Sequence, residues 1–426
     1  MTRHLCRLAV LALASLRLLA QDTDHEVKED KPPKSKDQRI RFVWKKHPSL
    51  RFGDTFRMDF RFRSQMDWTE HDPNVDETPK LFELGRLRVG IEGTALRFLE
   101  YEASYELAET DFHWKDLYGN FRKWRRFQVR AGRFRIPFSM DQLTGPTNLD
   151  FIERSRIADR LAPNRDAGVL LHGSILAERS FKYQIGYFRH DGDNAADRFN
   201  VRTGKRVIAG RLTGRPFPSA PLFDSLTIGG AFTAGDVPEG LYGLRLRSVL
   251  ASTLFPHYFV NGRRLRTGAE ASWMPGPFSL KAEFIAVREQ RKGQGLAGDD
   301  LPDLIERGWY ASGAWVVTGQ KKALGLDNGK HVPILRGWGA LELAVRGEQI
   351  RFASDTHAGR PSRSTRAFNV LPQSDRVATF GVNWYMNQWA KFQVNFIREQ
   401  IEDAFRAPIQ GQGLYWTYKF RLQVSL

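Results

Sequence analysis

Cysteine is almost missing from this 426-residue chain: the single one, Cys6, sits among the first twenty positions. Those positions read as a secretory signal, with Arg3, His4 and Arg7 as a basic start, Leu8 to Leu16 as an apolar core and Leu18-Leu19-Ala20 as the cleavage region before Gln21. The mature chain then holds no thiol, which excludes disulfides and thiol catalysis. Beyond that segment no run of about 20 apolar residues occurs, so helical membrane spans are excluded as well. Also absent are HExxH, a phosphate-cradling glycine loop and a GxSxG elbow. The ten histidines are scattered, and His172 reads as a satisfied wall residue. Asp299-Asp300 and Asp303 are interrupted by Leu301-Pro302, which spoils a calcium loop. No catalytic residue, metal ligand or cofactor is therefore assigned, and an enzyme is not expected.

Acid is in short supply: 48 Asp and Glu face 65 Lys and Arg, a formal charge of +17. A basic chain of this kind suits an anionic partner. A nucleic-acid binder would interleave aromatics with Arg on one face. Here the two separate by parity. From the C-terminal end, Leu414, Trp416, Tyr418, Phe420, Leu422, Val424 and Leu426 are apolar, while Thr417, Lys419, Arg421, Gln423 and Ser425 between them are polar. Period two is a strand, and a strand of this length is long enough to cross a bilayer at the usual tilt. Near the other end Phe52, Phe56, Met58, Phe60 and Phe62 share one parity, and Arg57, Asp59, Arg61 and Arg63 share the other. An open edge in lipid would leave backbone groups unpaired at several kcal/mol each, so a spanning sheet has to close, and these two strands are natural partners.

Residues 21–46 are charged and lack a sustained period, which reads as a mobile periplasmic leader; residues 21–49 are assigned to it and 50–426 to the barrel. Sixteen amphipathic segments follow: Leu50–Met66, Phe82–Gly93, Arg97–Glu109, His113–Arg122, Arg126–Phe134, Asp166–Leu176, Phe181–His190, Lys205–Thr213, Leu226–Ala234, Arg266–Met274, Phe278–Arg288, Gly308–Thr318, Arg336–Arg346, Arg376–Tyr385, Ala390–Glu399 and Gly413–Leu426. The fold class is thus all-β, a transmembrane antiparallel barrel of about 16 strands. One link, Arg135 to Arg165, has no strand signal, and a structureless stretch of that length is usually functional. Sixteen strands enclose a lumen wide enough for water, so this loop is expected to fold inward and constrict it.

Gly132-Arg133-Phe134-Arg135-Ile136-Pro137-Phe138-Ser139, Leu149-Asp150-Phe151-Ile152-Glu153-Arg154-Ser155 and Pro163-Asn164-Arg165-Asp166-Ala167-Gly168-Val169 resemble the constriction-loop region of the phosphate-selective porin O/P family. Tyr258-Phe259-Val260-Asn261-Gly262-Arg263-Arg264 and Trp273-Met274-Pro275-Gly276-Pro277-Phe278-Ser279 resemble later strands of that family. The resemblance implies a homotrimeric porin in the bacterial outer membrane, embedded in its lipid and drawing phosphate or similar small anions past basic side chains.

Parity nominates the lumen-facing groups: Arg57, Arg61, Arg63, Arg86, Arg88, Arg130, Arg135, Lys281, Arg346, Lys391, Lys419 and Arg421. Guanidinium forks match oxyanion oxygens, and a ladder of them lets an ion pass from site to site. Arg154, Arg156, Arg160 and Arg165 add further candidates from the loop, with Glu153 and Arg154 expected to pin it to the wall. One other use stays open, a general porin whose arginines brace the wall against acids such as Asp59, Glu92, Glu102 and Glu106; a barrel-based enzyme or adhesin would need a Ser/His pair on the outer face or a large extracellular domain, and the sequence has neither.

Overall fold

Alternation in the sequence becomes alternation in space. In the computed structural model, which describes residues 39–44, 47–71, 82–108, 113–175, 181–192, 205–322, 337–354, 370–409 and 411–426, nearly all regular structure is strand. The strands are β1 (Ile40–Trp44), β2 (Pro48–Phe52), β3 (Phe56–His71), β4 (Phe82–Ala95), β5 (Leu99–Glu106), β6 (Trp114–Trp124), β7 (Phe127–Arg135), β8 (Arg165–Ile175), β9 (Phe181–Phe188), β10 (Lys205–Gly214) and β11 (Thr227–Leu241). After them come β12 (Leu246–Arg247), β13 (Thr253–Phe255), β14 (Phe259–Trp273), β15 (Phe278–Arg291), β16 (Leu301–Val316), β17 (Ala340–Ser354), β18 (Gln373–Tyr385), β19 (Ala390–Ile401) and β20 (Leu414–Ser425).

Of the eighteen strands in the main sheet, β3–β11 and β14–β20 form a closed ring of sixteen, each antiparallel to its neighbour. The ring closes where β20 meets β3, in register from Ser425↔Arg63 to Thr417↔His71. Each expected segment corresponds to one of these strands. The remaining two, β1 and β2, form a hairpin whose inner strand pairs with the first part of β3, from Phe52↔Phe56 to Ser49↔Asp59. Part of the leader assigned to residues 21–49 is therefore strand, Ile40–Trp44 and the start of β2 at Pro48, and the barrel unit runs from Ile40 to Leu426. The expected signal segment lies outside the described residues.

On β18 and β19 the outward side chains Phe380 and Phe396 are exposed, while their inward neighbours Thr379 and Asn395 are buried. The apolar core is not in the wall but inside it. Phe138, Met140, Ile157 and Leu161 of the long β7–β8 loop pack with Leu244, Leu250, Leu254 and Phe255 of the β11–β14 connection. Both sets rest on Ile285, Leu304, Ile350, Phe352 and Ile401, inward-facing residues of β15–β19. Apolar side chains can face the lumen here because two loops cover them, and the second of these loops has no counterpart in the sequence reading. Burial of this kind contributes about 25 cal/mol per Å² of apolar surface.

The β7–β8 loop carries two short helices, α1 (Met140–Leu143) and α2 (Arg156–Arg160), capped by the hydroxyls of Ser139 and Ser155, which accept from Gln142 N and Ala158 N. Close approach of α2 to the wall depends on Gly308 of β16. A Cβ there would stand 2.5 Å from Ile157 Cγ2 and 2.4 Å from the Gln349 carbonyl oxygen. Gly308→Val is accordingly expected to cost about 1–3 kcal/mol through overpacking and to lift the loop from the wall. A lower thermal midpoint together with noisier single-channel current checks this; a quiet channel of normal stability would refute it.

Candidate functional site

The loop crosses the lumen and is tied to the inner face of one side of the ring. Lys281 on β15 and Lys322, just beyond β16, each donate to Asp150 at 2.7 Å, and Lys322 also reaches Glu342 at 2.8 Å. Lys391 donates to the carbonyls of Thr147 and Leu149 at 3.1 and 3.0 Å. Arg421 holds Asp67 at 2.6 Å and the Ile152 carbonyl at 2.7 Å. Lys419 pairs with Glu153, while Arg346 donates to the Glu153 carbonyl at 3.1 Å. Arg156 of α2 joins Asp375 at 3.1 Å. Lys281, Arg346, Lys391, Lys419 and Arg421 were expected to line the passage; the structure instead engages them with the loop. They face the lumen, as their parity requires, but the loop occupies that part of it. Arg154 likewise departs from its expected wall contact: it donates to the loop's own carbonyls, Asp141 O and Thr144 O, the latter at 2.6 Å.

The open passage lies against the opposite wall, β3–β9. A cavity of about 910 Å³ runs between that wall and loop residues Leu143 and Gly145–Asn148. Arg57, Arg61, Arg63, Arg88, Arg130 and Arg135 line it, with Arg165 and Lys182. Arg86 stands on the same wall and donates to Gln65 at 2.7 Å. Four carboxylates share the cavity: Asp59, Glu92, Glu102 and Asp116. Several arginines are paired: Arg57 with Asp59 at 3.1 Å, Arg61 with Glu92 at 3.4 Å, Arg88 with Glu106 at 3.0 Å and Arg165 with Asp116 at 2.8 Å. Arg135 is held by the Leu143 and Thr144 carbonyls at 2.9 and 3.0 Å.

Two differ. Arg63 sits directly across the ladder from Arg88 and has no hydrogen-bonded carboxylate among the described residues; its Nε lacks a partner. Arg130 also has a partnerless Nε, and its guanidinium lies 4.3 Å from the Tyr118 ring centroid. Lys182 was legible, since it shares parity with Gln184 within an expected strand. Lys322 was not, because it belongs to a connection without a period.

The loop's acids face away from the passage. Asp150 is taken by Lys281 and Lys322, Glu153 by Lys419, Asp141 Oδ2 accepts from Ser155 N at 2.7 Å, and Asp159 of α2 pairs with Arg160 at 3.0 Å. Burial by itself would raise the Asp150 and Glu153 carboxyls. The lysines outweigh it, holding Asp150 well below the usual range and Glu153 at about 2.

A closed sixteen-stranded barrel with an apolar belt outside, a charged lumen and an inward-folded loop is an outer-membrane porin, a channel and not an enzyme. The chain belongs to the phosphate-selective porin O and P family, whose model matches residues 56–411. Porin O of Pseudomonas aeruginosa is 22% identical over 378 residues, covering 80% of this chain and 82% of that protein. Among solved structures, a loop L8 deletion mutant of OmpT from Vibrio cholerae superposes with a TM-score of 0.56 at 11% identity, covering 87% of this chain and 99% of the other. An anion-selective porin from Comamonas acidovorans gives 0.52 at 11% identity, again over 87% and 99%.

Because the folded pKa of Glu153 is depressed from 4.5 to about 2, its contribution to loop anchoring is complete above pH 4.5 and is lost as pH falls toward 2. Asp150 acts in the same direction. Single-channel current is therefore expected to be equally quiet from pH 8 to 5 and to grow noisy below about pH 4. Unchanged noise at pH 3 would count against this anchoring.

Proposed function

We propose that the pore gives passive, anion-preferring diffusion to phosphate and similar small oxyanions. The observation that carries this reading is the charge facing the passage. Eight basic side chains line it against four acidic ones, while the four acids of the constricting loop, Asp141, Asp150, Glu153 and Asp159, are bonded elsewhere. A loop carboxylate opposite the arginines would make the constriction dipolar, orienting solutes without excluding cations. Here the loop contributes backbone and uncharged side chains instead, so it adds no negative charge and the basic excess of the wall sets the sign of the field. A permeating oxyanion sheds part of its water, and the forked donors of Arg63 and its neighbours replace it. The phosphate selectivity for which the family is named and the anion selectivity of the Comamonas porin point the same way. As in the trimer form described for the Vibrio protein, assembly as a homotrimer is part of this reading.

The pairs Arg57–Asp59, Arg61–Glu92, Arg88–Glu106 and Arg165–Asp116 favour a second reading, a general porin braced by its arginines. Arg63 and Arg130 separate the two, because neither holds an acid. A unit charge about 4 Å from an ion in a water-like medium is worth on the order of 1 kcal/mol, roughly fivefold in local anion concentration. Arg63→Ala with Arg130→Ala should move the reversal potential in a potassium chloride gradient strongly toward zero and weaken block of chloride current by added phosphate. An unchanged reversal potential in the double variant, or one near zero in the unaltered protein, would leave only the bracing role.

A further inference from the structure

Not every arginine of the wall points inward. On β15–β19 a second set stands on the outer, lipid-facing surface: Arg288, Arg307, Arg351, Arg376 and Arg398, all exposed between buried neighbours. They form one row. Arg307 and Arg351 are direct cross-strand partners. Arg288 pairs with Ile305, Arg351 with Ser374 and Arg376 with Gln400, so each of the others lies one diagonal step from its neighbour, about 7–8 Å away. The row spans four strand intervals, roughly 19 Å.

Its height on the barrel is fixed by what lies beside it. The next outward residue after Arg307 is Trp309, and the one before Arg398 is Phe396, both exposed. Aromatics followed by Arg mark the boundary between hydrocarbon and headgroups. All five arginines lie toward the end opposite the C-terminus, where the long loops emerge, which by the asymmetry of such barrels is the outer leaflet. At the other end of the same five strands the outward positions are Phe278, Trp315, Leu341, Trp384 and Phe392, with no basic residue. The charge therefore belongs to one leaflet.

Like charges directly opposite one another on a sheet are destabilising. Arg288 is relieved by Asp303, but the side chains of Arg307, Arg351, Arg376 and Arg398 have no hydrogen bond or ion pair among the described residues. Something anionic at headgroup depth would resolve this arrangement, and facing forks suit an oxyanion shared between two guanidiniums.

We propose that this row docks the phosphorylated sugar headgroup of an outer-leaflet glycolipid, with Arg307 and Arg351 sharing one phosphate and Arg376 and Arg398 available to a second. Acyl chains of the same lipid would lie along the apolar band below. The site is separate from the channel, whose groups face the other side of the sheet.

The test uses the full-length protein, stripped of lipid in detergent and titrated with diphosphoryl lipid A or its dephosphorylated form, bound lipid being counted by native mass spectrometry. The diphosphoryl form is expected to bind at least about tenfold more tightly. Arg307→Gln with Arg351→Gln should remove most of that advantage, Arg307→Lys with Arg351→Lys should keep most of it, and conductance should be unchanged in both. Should the Gln pair fail to fold, Arg376→Gln with Arg398→Gln provides the same readout. Equal binding of the two lipids, full binding by the Gln pair, or displacement by inorganic phosphate at the concentrations that block the channel would overturn the proposal. So would a change of oligomeric state in the lipid-free Gln pair, since that would make this face a subunit contact.

Discussion

A backbone that crosses lipid must find every hydrogen bond within the protein, because hydrocarbon offers none. For a chain built of strands that requirement is met only by closure, and closure here is the run of pairs between β20 and β3 that joins residues at opposite ends of the sequence. The rest of the architecture follows from it. A closed sheet has one face toward lipid and one toward an enclosed space, so period two becomes a sorting rule: apolar outward, polar inward. A lumen ringed by sixteen strands is too wide to be filled by wall side chains. It must hold water, or loops, or both.

This chain divides that space. Against β15–β20 the lumen is packed with the β7–β8 and β11–β14 connections, whose apolar side chains bury against inward-facing Ile285, Ile350 and Phe352. Against β3–β9 it stays open and strongly basic. Lys281, Lys391, Lys419 and Arg421 are drawn from the same inward parity as Arg57, Arg61 and Arg63, yet they serve the loop. Their role is decided by which side of the ring they stand on. The ion pairs that hold the loop are largely out of water, so removing one partner would leave a buried charge without compensation, a cost of several kcal/mol. That penalty makes the loop's position a consequence of its charges, and the narrow point of the channel a consequence of the loop's position.

Much of the fold could be read in the sequence because alternation is a local signal. All sixteen ring strands were legible, and so was the absence of period between Arg135 and Arg165. Where reading failed, a local rule met a non-local cause. Strands β16 and β17 run further at the loop end than expected, since the outward Arg307 and Arg351 break the apolar parity that marks a lipid face. Strand β1 and the start of β2 were read as leader because the stretch is charged and has no sustained period, while Leu50–Phe52 was read as part of the first barrel strand; pairing with β3 is what orders the hairpin. The β11–β14 connection gave no sign of folding inward. Its residues Leu244, Leu250, Leu254 and Phe255 carry no strand period, and their partners are far away in the chain.

The candidate site was partly legible for the same reason. Parity says which side chains face inward but is silent about what they meet there. Arg88 and Arg63 look equivalent in sequence, and they face each other across one ladder. Arg88 holds Glu106, whereas Arg63 holds no acid. A paired guanidinium is largely neutralised as seen from the passage, and an unpaired one projects its full charge into it. The basic excess of the sequence therefore overstates how many arginines an anion would meet. Pairing that removes charge from Arg57, Arg61, Arg88 and Arg165 leaves the remaining field at Arg63, Arg130 and Arg135, none of which holds an acid, and a few strong sites, not a uniformly positive tube, are what allow an ion both to enter and to leave.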